Sequence, residues 1–187
     1  MSKGKLFVIS GASGVGKGTV LKQVMRMRDD LSFSVSATTR APRPNEVDGI
    51  HYSFITVEEF EAMIAADAFL EYDNHSKTYY GTPRAQAEEK QARGHVLFDI
   101  DPNGAKRLKA AIPEATLIFI MPPSMEELER RLRGRKDTSE EQIRMRMERA
   151  VWEMEQRHWY DHVVVNDRVE DCAKEIYDII SAVADTN

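Results

Sequence analysis

Four short runs of almost uninterrupted apolar residues recur along this chain, at Leu6–Ser10, His95–Ile100, Thr116–Met121 and His162–Val165. Strands that are buried on both faces carry such runs, and burial of this kind is typical of a parallel sheet covered by helices. Two further strand candidates, which are more polar than these four, lie at Phe33–Thr38 and Tyr52–Ile55. Helix-like stretches lie between and after the strands, near residues 17–28, 57–66, 83–93, 103–111, 124–133, 138–158 and 169–184. This alternation predicts an α/β fold with a parallel sheet.

Size and composition restrict the class of protein. The 187 residues fit a single domain, and 42% hydrophobic residues are too many for a disordered chain. No apolar stretch approaches the ~20 residues that a membrane span needs, and the one that follows Lys5 is too short for a signal peptide, so we expect neither. The single cysteine, Cys172, cannot form an intrachain disulfide, which favours a reducing compartment and predicts a cytoplasmic location.

The charge balance bears on the partners of the protein. With 26 Lys and Arg against 31 Asp and Glu, the formal net charge is −5, which argues against bulk binding to nucleic acid or membranes. The five histidines and one cysteine show no spacing typical of transition-metal ligands. Any phosphate must therefore be bound by positive charge concentrated locally.

A glycine-rich segment connects the first apolar run to the first helix-like stretch. It reads Gly11, Ala12, Ser13, Gly14, Val15, Gly16, Lys17, Gly18 and Thr19. Glycines in this context let several backbone N–H groups point at one centre, the helix N-terminus adds positive potential, and the lysine reaches the outer phosphates. The segment predicts a binding loop for the phosphates of a nucleotide.

The loop departs from the strict pattern at one position. A Ser or Thr that can ligate Mg²⁺ ordinarily follows the lysine, whereas this chain has Gly18 there and Thr19 one place later. We therefore expect Mg²⁺, the cofactor that accompanies ATP, to be held by phosphates and water rather than by a direct protein ligand.

A second basic element follows the candidate strand Phe33–Thr38. Arg40 and Arg43 are three residues apart, and Pro42 and Pro44 flank the second of them. A stiff pair of arginines suits bidentate contacts to a phosphate. The alternative is a solvated basic loop without a ligand.

Two acids, Asp99 and Asp101, lie at the end of the apolar run His95–Ile100. Strand alternation sends Asp99 and Asp101 to the same side, at the carboxyl end of the strand, where ligands bind in α/β sheets. The alternative for Asp101 is that it only caps the next helix.

Six blocks, in this order, resemble the guanylate kinase family: GASGVGKGT, SVSATTRAPRPNEVDG, YYGTPR, FDID, PPSMEELERRLRGR and VVVND. The resemblance spans essentially the whole chain and implies a single domain over residues 1–187. It implies a three-layer P-loop kinase core with a parallel sheet (about 1–33, 83–124 and 158–187), a small mixed α/β GMP-binding subdomain (about 34–82) and a helical lid (about 125–157). One departure is Lys77, where family members often have glycine.

The resemblance also implies roles for individual residues. The phosphate of GMP is assigned to Arg40, Arg43, Tyr52 and Tyr80, and the base to Ser36, Glu71, Thr82 and Asp101. Chemistry supports the second group, because guanine presents two neighbouring N–H donors that a carboxylate accepts, whereas adenine presents a lone pair there that a carboxylate repels. The alternatives are a surface position for Glu71 and a pure helix-capping role for Thr82.

The remaining implied roles concern ATP and the lid. Asp99 is placed near the water shell of Mg²⁺ and Asn166 near the adenine. Together with Lys17 and Arg40, three lid arginines are expected to be catalytic by spreading the charge of the transferred group: Arg131, Arg135 and Arg146. Other arginines of this segment are expected on solvated faces, namely Arg130, Arg133, Arg144 and Arg149. An apolar packing stripe is expected at Ile143, Met147, Val151 and Met154.

The implied activity is a reversible, Mg²⁺-dependent transfer of the γ-phosphoryl group of ATP to GMP or dGMP, giving ADP and the diphosphate, in purine nucleotide metabolism and GMP recycling. ATP and GMP are then the partners, and no nucleic acid, membrane or obligatory protein partner is expected. Two alternatives stay open at this point. One is a non-catalytic scaffold of the same fold that binds phosphopeptides, and the other is a P-loop kinase for another nucleotide or a sugar phosphate.

Overall fold

The structure is a computed structural model that describes residues 3–75, 77–134 and 139–186. Its strands are β1 (Leu6–Gly11), β2 (Leu31–Phe33), β3 (Ala37–Thr38), β4 (Ser53–Phe54), β5 (Phe69–His75), β6 (Thr78–Pro83), β7 (His95–Asp99), β8 (Thr116–Met121) and β9 (His162–Val165). Its helices are α1 (Lys17–Met25), α2 (Val57–Ala65), α3 (Arg84–Arg93), α4 (Pro102–Ala111), α5 (Met125–Arg133), α6 (Glu140–Glu155) and α7 (Val169–Ala184), with a 3₁₀ turn at Gln156–Trp159.

The larger sheet has the strand order β2-β7-β1-β8-β9, and all four of its pairings are parallel. Every residue of β1 is buried, so helices must cover both faces of the sheet. The main hydrophobic core lies between these strands and the helices. The four apolar runs thus form four of the five strands, which confirms the predicted α/β fold with a parallel sheet.

A smaller mixed sheet has the order β4-β3-β6-β5 and carries α2 beside it. It has a core of its own, in which the ring of Phe60 stacks on Phe69 at 4.3 Å and on Tyr79 at 4.9 Å between ring centroids. The β5–β6 hairpin was not predicted, because its polar residues obscure the alternation that marks a strand.

The predicted strand Phe33–Thr38 is wrong as a single element. Residues up to Phe33 pair with β7 in the large sheet, whereas Ala37 and Thr38 pair with β6 in the small one. Between them the N–H of Ser34 still donates to Leu97 and the N–H of Val35 donates to the Gln86 side chain. The chain leaves one sheet for the other at this point, so the two sheets are joined by a short, hydrogen-bonded crossing.

Candidate nucleotide-binding site

The glycine-rich loop connects the end of β1 to the start of α1. Gly14 and Gly16 have φ values of 91° and 92°, which lie in the left-handed region that favours glycine. A Cβ on Gly14 would also lie 2.6 Å from Leu132 Cδ2. The N-cap of α1 is Gly16, which has no side chain to cap the helix. The N–H of Thr19 donates to the Gly16 carbonyl at 3.0 Å, and the N–H groups of Lys17 and Gly18, which have no carbonyl partner within a helix, are available to an anion.

Lys17, the first residue of α1, forms an ion pair with Asp99 at the end of β7. Burial alone would lower the pKa of Lys17, but the neighbouring carboxylate of Asp99 raises it above its ordinary value. Both side chains are only partly exposed. The loop lysine and the predicted metal-proximal acid are therefore in direct contact, and the lysine is a cation at neutral pH.

Arg131 and Asn166 meet at the carbonyl of Val15 in the loop. The Arg131 guanidinium donates to Val15 at 3.2 Å and to the Asn166 carbonyl at 2.9 Å, and the Asn166 amide donates to Val15 at 2.7 Å. Glu127 holds the same guanidinium from the other side at 2.7 Å. The Asn166 Oδ1 is buried and has no hydrogen-bond partner, so this amide has one acceptor left unused next to the loop.

A carboxylate from α6 also contacts the loop. Glu153 is 4% exposed, and its Oε2 accepts a 2.6 Å hydrogen bond from the backbone N–H of Ser13. Its Oε1 accepts a 2.9 Å hydrogen bond from Arg149, one turn earlier in α6. Residues far apart in sequence thus bring a buried negative charge to a loop that is built to receive anions.

The arginine pair Arg40 and Arg43, called the basic clamp below, lies in the loop that follows β3. Both terminal nitrogens of Arg40 donate to the Glu46 carboxylate, at 2.6 and 2.7 Å, and its guanidinium lies 5.0 Å from the centroid of the Tyr52 ring. Hydrogen bonding to Arg40 lowers the pKa of Glu46 to about 2. Glu46 also accepts the backbone N–H of Arg43 at 2.8 Å. The alternative of a purely solvated loop is wrong for Arg40, whereas Arg43 is exposed.

The other predicted GMP ligands lie near this clamp or in the same sheet. The rings of Tyr52 and Tyr80 are 6.0 Å apart between centroids, in an edge-on arrangement. Ser36 directly precedes β3, and its carbonyl accepts the N–H of Ser53 at 2.9 Å. The structure therefore brings an arginine and two tyrosines together, and it places Ser36 at the neighbouring strand.

Glu71 in β5 and Thr82 in β6 face each other across the hairpin. The Thr82 hydroxyl donates to Glu71 Oε1 at 2.6 Å. Thr82 is 0% exposed and Glu71 is 7% exposed. Burial raises the pKa of Glu71 to about 7, against the hydrogen bond from Thr82, which lowers it. A surface position for Glu71 is thus wrong, and Thr82 is not the N-cap of α3, which is Pro83.

Asp101 lies at the N-terminus of α4 and has two partners. Its Oδ1 accepts the N–H of Gly104 at 2.9 Å as a helix cap, while its Oδ2 accepts a 3.3 Å hydrogen bond from Arg149. A Cβ on Gly104 would lie 2.9 Å from Glu71 Oε2, so the Glu71 carboxylate packs directly against this helix start. Asp101 therefore does cap α4. In the same position its carboxylate lies beside the carboxylate of Glu71.

The lid arginines differ in what the structure shows of them. Arg131 lies at the loop, Arg146 lies half-buried in α6, and Arg135 is outside the described residues. Arg149, predicted on a solvated face, has a side chain that is 40% exposed, and its guanidinium also lies between Asp101 and Glu153. The predicted packing stripe also fails at Val151, which is 45% exposed while Ala150 is fully buried.

Three residues that contact the site were not predicted from the sequence to be part of it. The sequence contains a signal that could have identified Glu46 as a partner of the arginines, because it is the first acid after a pair of arginines in a proline-rich loop. Glu153 and Arg149 had a weaker one, an i,i+4 pair of opposite charges on a helix, which is common on solvated faces. Only the packing of α6 against the loop reveals their position.

In the part of the chain that the structure describes, no helix is long and apolar enough to cross a bilayer. In the same residues, no group of three or more His, Cys, Asp or Glu side chains could hold a metal ion.

Comparison with known proteins places these features in a family. A sequence model described as guanylate kinase matches residues 3–183. The chain is similar to a guanylate kinase of Thermus thermophilus, with 49% identity over 96% of this chain and 82% of the relative, and to one of Fusobacterium nucleatum, with 46% identity over 96% and 97%. It is also similar to the crystal structure of guanylate kinase from Anaplasma phagocytophilum, with a TM-score of 0.81, 31% identity, and coverage of 100% of this chain and 89% of that one. The chain therefore belongs to the guanylate kinase family.

Proposed function

We propose that this protein catalyses the reversible transfer of the γ-phosphoryl group of ATP to GMP or dGMP. The observation that carries the proposal is the position of two kinds of group at the carboxyl end of β7. There Asp99 pairs with Lys17 of the phosphate loop, and two residues later Asp101 lies beside the buried Glu71. A phosphate-binding loop and a pair of carboxylates suited to a purine base therefore lie at adjacent points of one strand end.

The paired carboxylates account for the choice of guanine. Guanine N1–H and its exocyclic amine are neighbouring donors, which Glu71 and Asp101 can accept, with Thr82 and Ser36 as additional polar contacts. Adenine would set a lone pair against a buried carboxylate, and the unpaired charge would cost about 1–3 kcal/mol or more. We expect the base, rather than the sugar, to decide the acceptor, so dGMP is also used.

The phosphate of GMP is assigned to Arg40, Arg43, Tyr52 and Tyr80. Glu46 occupies both terminal nitrogens of Arg40 and fixes the plane of the guanidinium over Tyr52. This fixed plane presents a positive charge at low entropic cost when the phosphate arrives. Arg43 is exposed and supplies a second cation from the same loop.

The phosphates of ATP are assigned to the backbone N–H groups of Gly11–Thr19 and to Lys17, with Asn166 near the adenine. Bound Mg²⁺ would neutralise phosphate charge, and this chain fits a water-mediated site better than direct ligation, because Gly18 offers no hydroxyl and Asp99 is a carboxylate at the edge of the loop. Arg131, Arg135 and Arg146 are proposed to spread the charge that develops on the transferred group.

No covalent intermediate is required in this mechanism. An oxygen of the GMP phosphate attacks the γ-phosphorus in line, the bond from that phosphorus to the bridging β,γ-oxygen breaks, and ADP leaves with both electrons of the broken bond. One phosphoanhydride bond is lost and one is formed, so the reaction is reversible. Positioning and charge neutralisation by the arginines and Lys17 supply the acceleration.

We place this activity in purine nucleotide metabolism and GMP recycling, in the reducing cytoplasm that the buried thiol of Cys172 favours.

A coupled assay that follows ADP formation tests the proposal. ATP and Mg²⁺ are offered with GMP, dGMP, AMP, UMP or dTMP at equal concentration. We expect turnover with GMP and dGMP at least a hundredfold above that with AMP or the pyrimidine nucleotides. Turnover with AMP but not with GMP would overturn the guanine assignment, and no turnover with any acceptor would overturn the enzyme assignment.

A further inference from the structure

We propose that Arg149 and Glu153 couple the two nucleotide sites, so that phosphates bound to the loop release Asp101 to bind guanine. The inference rests on the proposed function and adds two positioning residues and a direction of coupling to it. It follows from a continuous path of three hydrogen bonds that runs from the phosphate loop, through one face of α6, to the carboxylates of the base site.

The first step of the path joins the loop to α6. Glu153 Oε2 accepts the N–H of Ser13 at 2.6 Å, and the Glu153 side chain is 5% exposed. This N–H belongs to a loop whose backbone donors are arranged for phosphate. An incoming phosphate therefore competes with a buried carboxylate for the same donor and is repelled by its charge.

The second step joins α6 to the base site through a single guanidinium. Arg149 Nε donates to Glu153 Oε1 at 2.9 Å, and an Arg149 terminal nitrogen donates to Asp101 Oδ2 at 3.3 Å. Arg149 thus donates to a carboxylate of the loop side and to a carboxylate of the base site at the same time. The bond to Asp101 is the longer of the two and is the easier to exchange.

The exchange follows from the need of a buried carboxylate for donors. Once Ser13 N–H turns to a phosphate, Glu153 Oε2 loses its donor, which is costly for a buried charge. Arg149 can replace that donor by pairing with both oxygens of Glu153 in the fork geometry that guanidinium and carboxylate favour. Its terminal nitrogen then leaves Asp101 Oδ2, and this oxygen becomes available to the N–H donors of guanine.

The expected result is positive coupling between the two ligands, and it must be reciprocal. ATP bound at the loop should tighten GMP binding about fivefold, at the lower end of the usual range for coupled sites. Without ATP, Arg149 competes with guanine for Asp101, so the ligand-free arrangement holds GMP weakly.

Calorimetric titration of GMP, with and without a saturating β,γ-imido analogue of ATP and Mg²⁺, tests the proposal on four proteins. In the unaltered protein the analogue should lower the GMP dissociation constant about fivefold. R149M removes the competitor, so GMP should bind tightly with or without the analogue. E153Q keeps an oxygen for Ser13 but cannot form the two-bond pair with Arg149, so GMP should bind weakly in both conditions.

R144M is the matched control, because Arg144 lies exposed on the same helix and the substitution removes the same charge. It should behave as the unaltered protein does. Unchanged coupling in R149M would overturn the proposal, as would weaker GMP binding by that variant in the absence of the analogue. Arg149 is 40% exposed, so R149M should fold and decide the question even if E153Q does not.

Failure of this inference and failure of the proposed function give different results. An unaltered protein that does not bind GMP at all contradicts the proposed function. An unaltered protein that binds GMP equally well with and without the analogue, and turns it over, contradicts only the coupling through Arg149.

Discussion

The hydroxyl of Thr82 donates a 2.6 Å hydrogen bond to the carboxylate of Glu71 across the β5–β6 hairpin, and both side chains are buried. A buried carboxylate with one donor has unused acceptor capacity, which is costly unless a ligand supplies more donors. The second oxygen of Glu71 packs against Gly104, where a side chain would leave no space. This arrangement leaves Glu71 poised for a ligand that carries paired N–H donors, as guanine does.

Replacing Glu71 by glutamine should impair GMP use selectively. The amide still accepts the bond from Thr82, but it presents one acceptor and one donor where guanine needs acceptors. We expect kcat/KM for GMP to fall about a hundredfold, which corresponds to about 2.7 kcal/mol, with the affinity for an ATP analogue unchanged. E58Q, at an exposed position of α2 in the same part of the fold, is the control. Equal losses for GMP and ATP would mean that Glu71 is structural.

The binding of GMP should depend on pH near neutrality. Burial raises the pKa of Glu71 to about 7, so the carboxyl changes its protonation state near neutral pH in the unliganded protein. Only the ionised form accepts both guanine donors, so KM for GMP should rise as the pH falls below 7, by about tenfold per unit well below the pKa. Steady-state kinetics with GMP between pH 5.5 and 8.5 measure this. A KM for GMP that is flat over this range would contradict the assignment, and E71Q should keep only the dependence that the GMP phosphate causes by its own titration at about pH 6.

The raised pKa of Glu71 also affects the stability of the folded protein, which we expect to fall as the pH rises. The folded protein retains a proton on Glu71 between its ordinary pKa of 4.5 and about 7, where the unfolded chain has lost it. Stability contributed by this group is therefore lost as the pH rises through that window. E71Q should raise the free energy of unfolding at pH 7.5 relative to the unaltered protein, by an amount on the order of 1–3 kcal/mol. Chemical denaturation at pH 5 and 7.5 checks the sign, and the gain should shrink at the lower pH.

How far the sequence predicts this molecule depends on the kind of contact. The apolar runs and the glycine loop were readable because burial and backbone geometry leave local patterns, as Gly14 and Gly16 do with their positive φ values. The β5–β6 hairpin was missed because its buried residues include the polar Glu71 and Thr82, which break the apolar pattern of a strand. The contact between Arg149 and Asp101 was not predicted, because Asp101 lies 48 residues away at another strand end and only the folded arrangement of α6 brings the two together.

Removing the loop lysine should abolish turnover without unfolding the protein. Lys17 is proposed to place a cation at the transferred phosphoryl group, and its partner Asp99 is partly exposed, so the carboxylate left behind in K17A can be solvated. We expect kcat to fall at least a thousandfold while the far-UV circular dichroism spectrum is unchanged. K22A, in the last turn of the same helix, is the control. A K17A protein that retains full activity would contradict the assignment of the loop.

The turn between β5 and β6 contains a local strain that can be tested by stability alone. Lys77 has a φ of 65°, in the left-handed region that costs a residue with a Cβ roughly 1–2 kcal/mol. K77G removes that cost, and the greater freedom of glycine in the unfolded chain offsets about 0.5–1 kcal/mol of the gain. We expect thermal unfolding about 1–3 °C higher for K77G. K77A keeps the Cβ and serves as the matched comparison, so an equal rise in both variants would show that the lysine side chain, and not the backbone conformation, limits stability here.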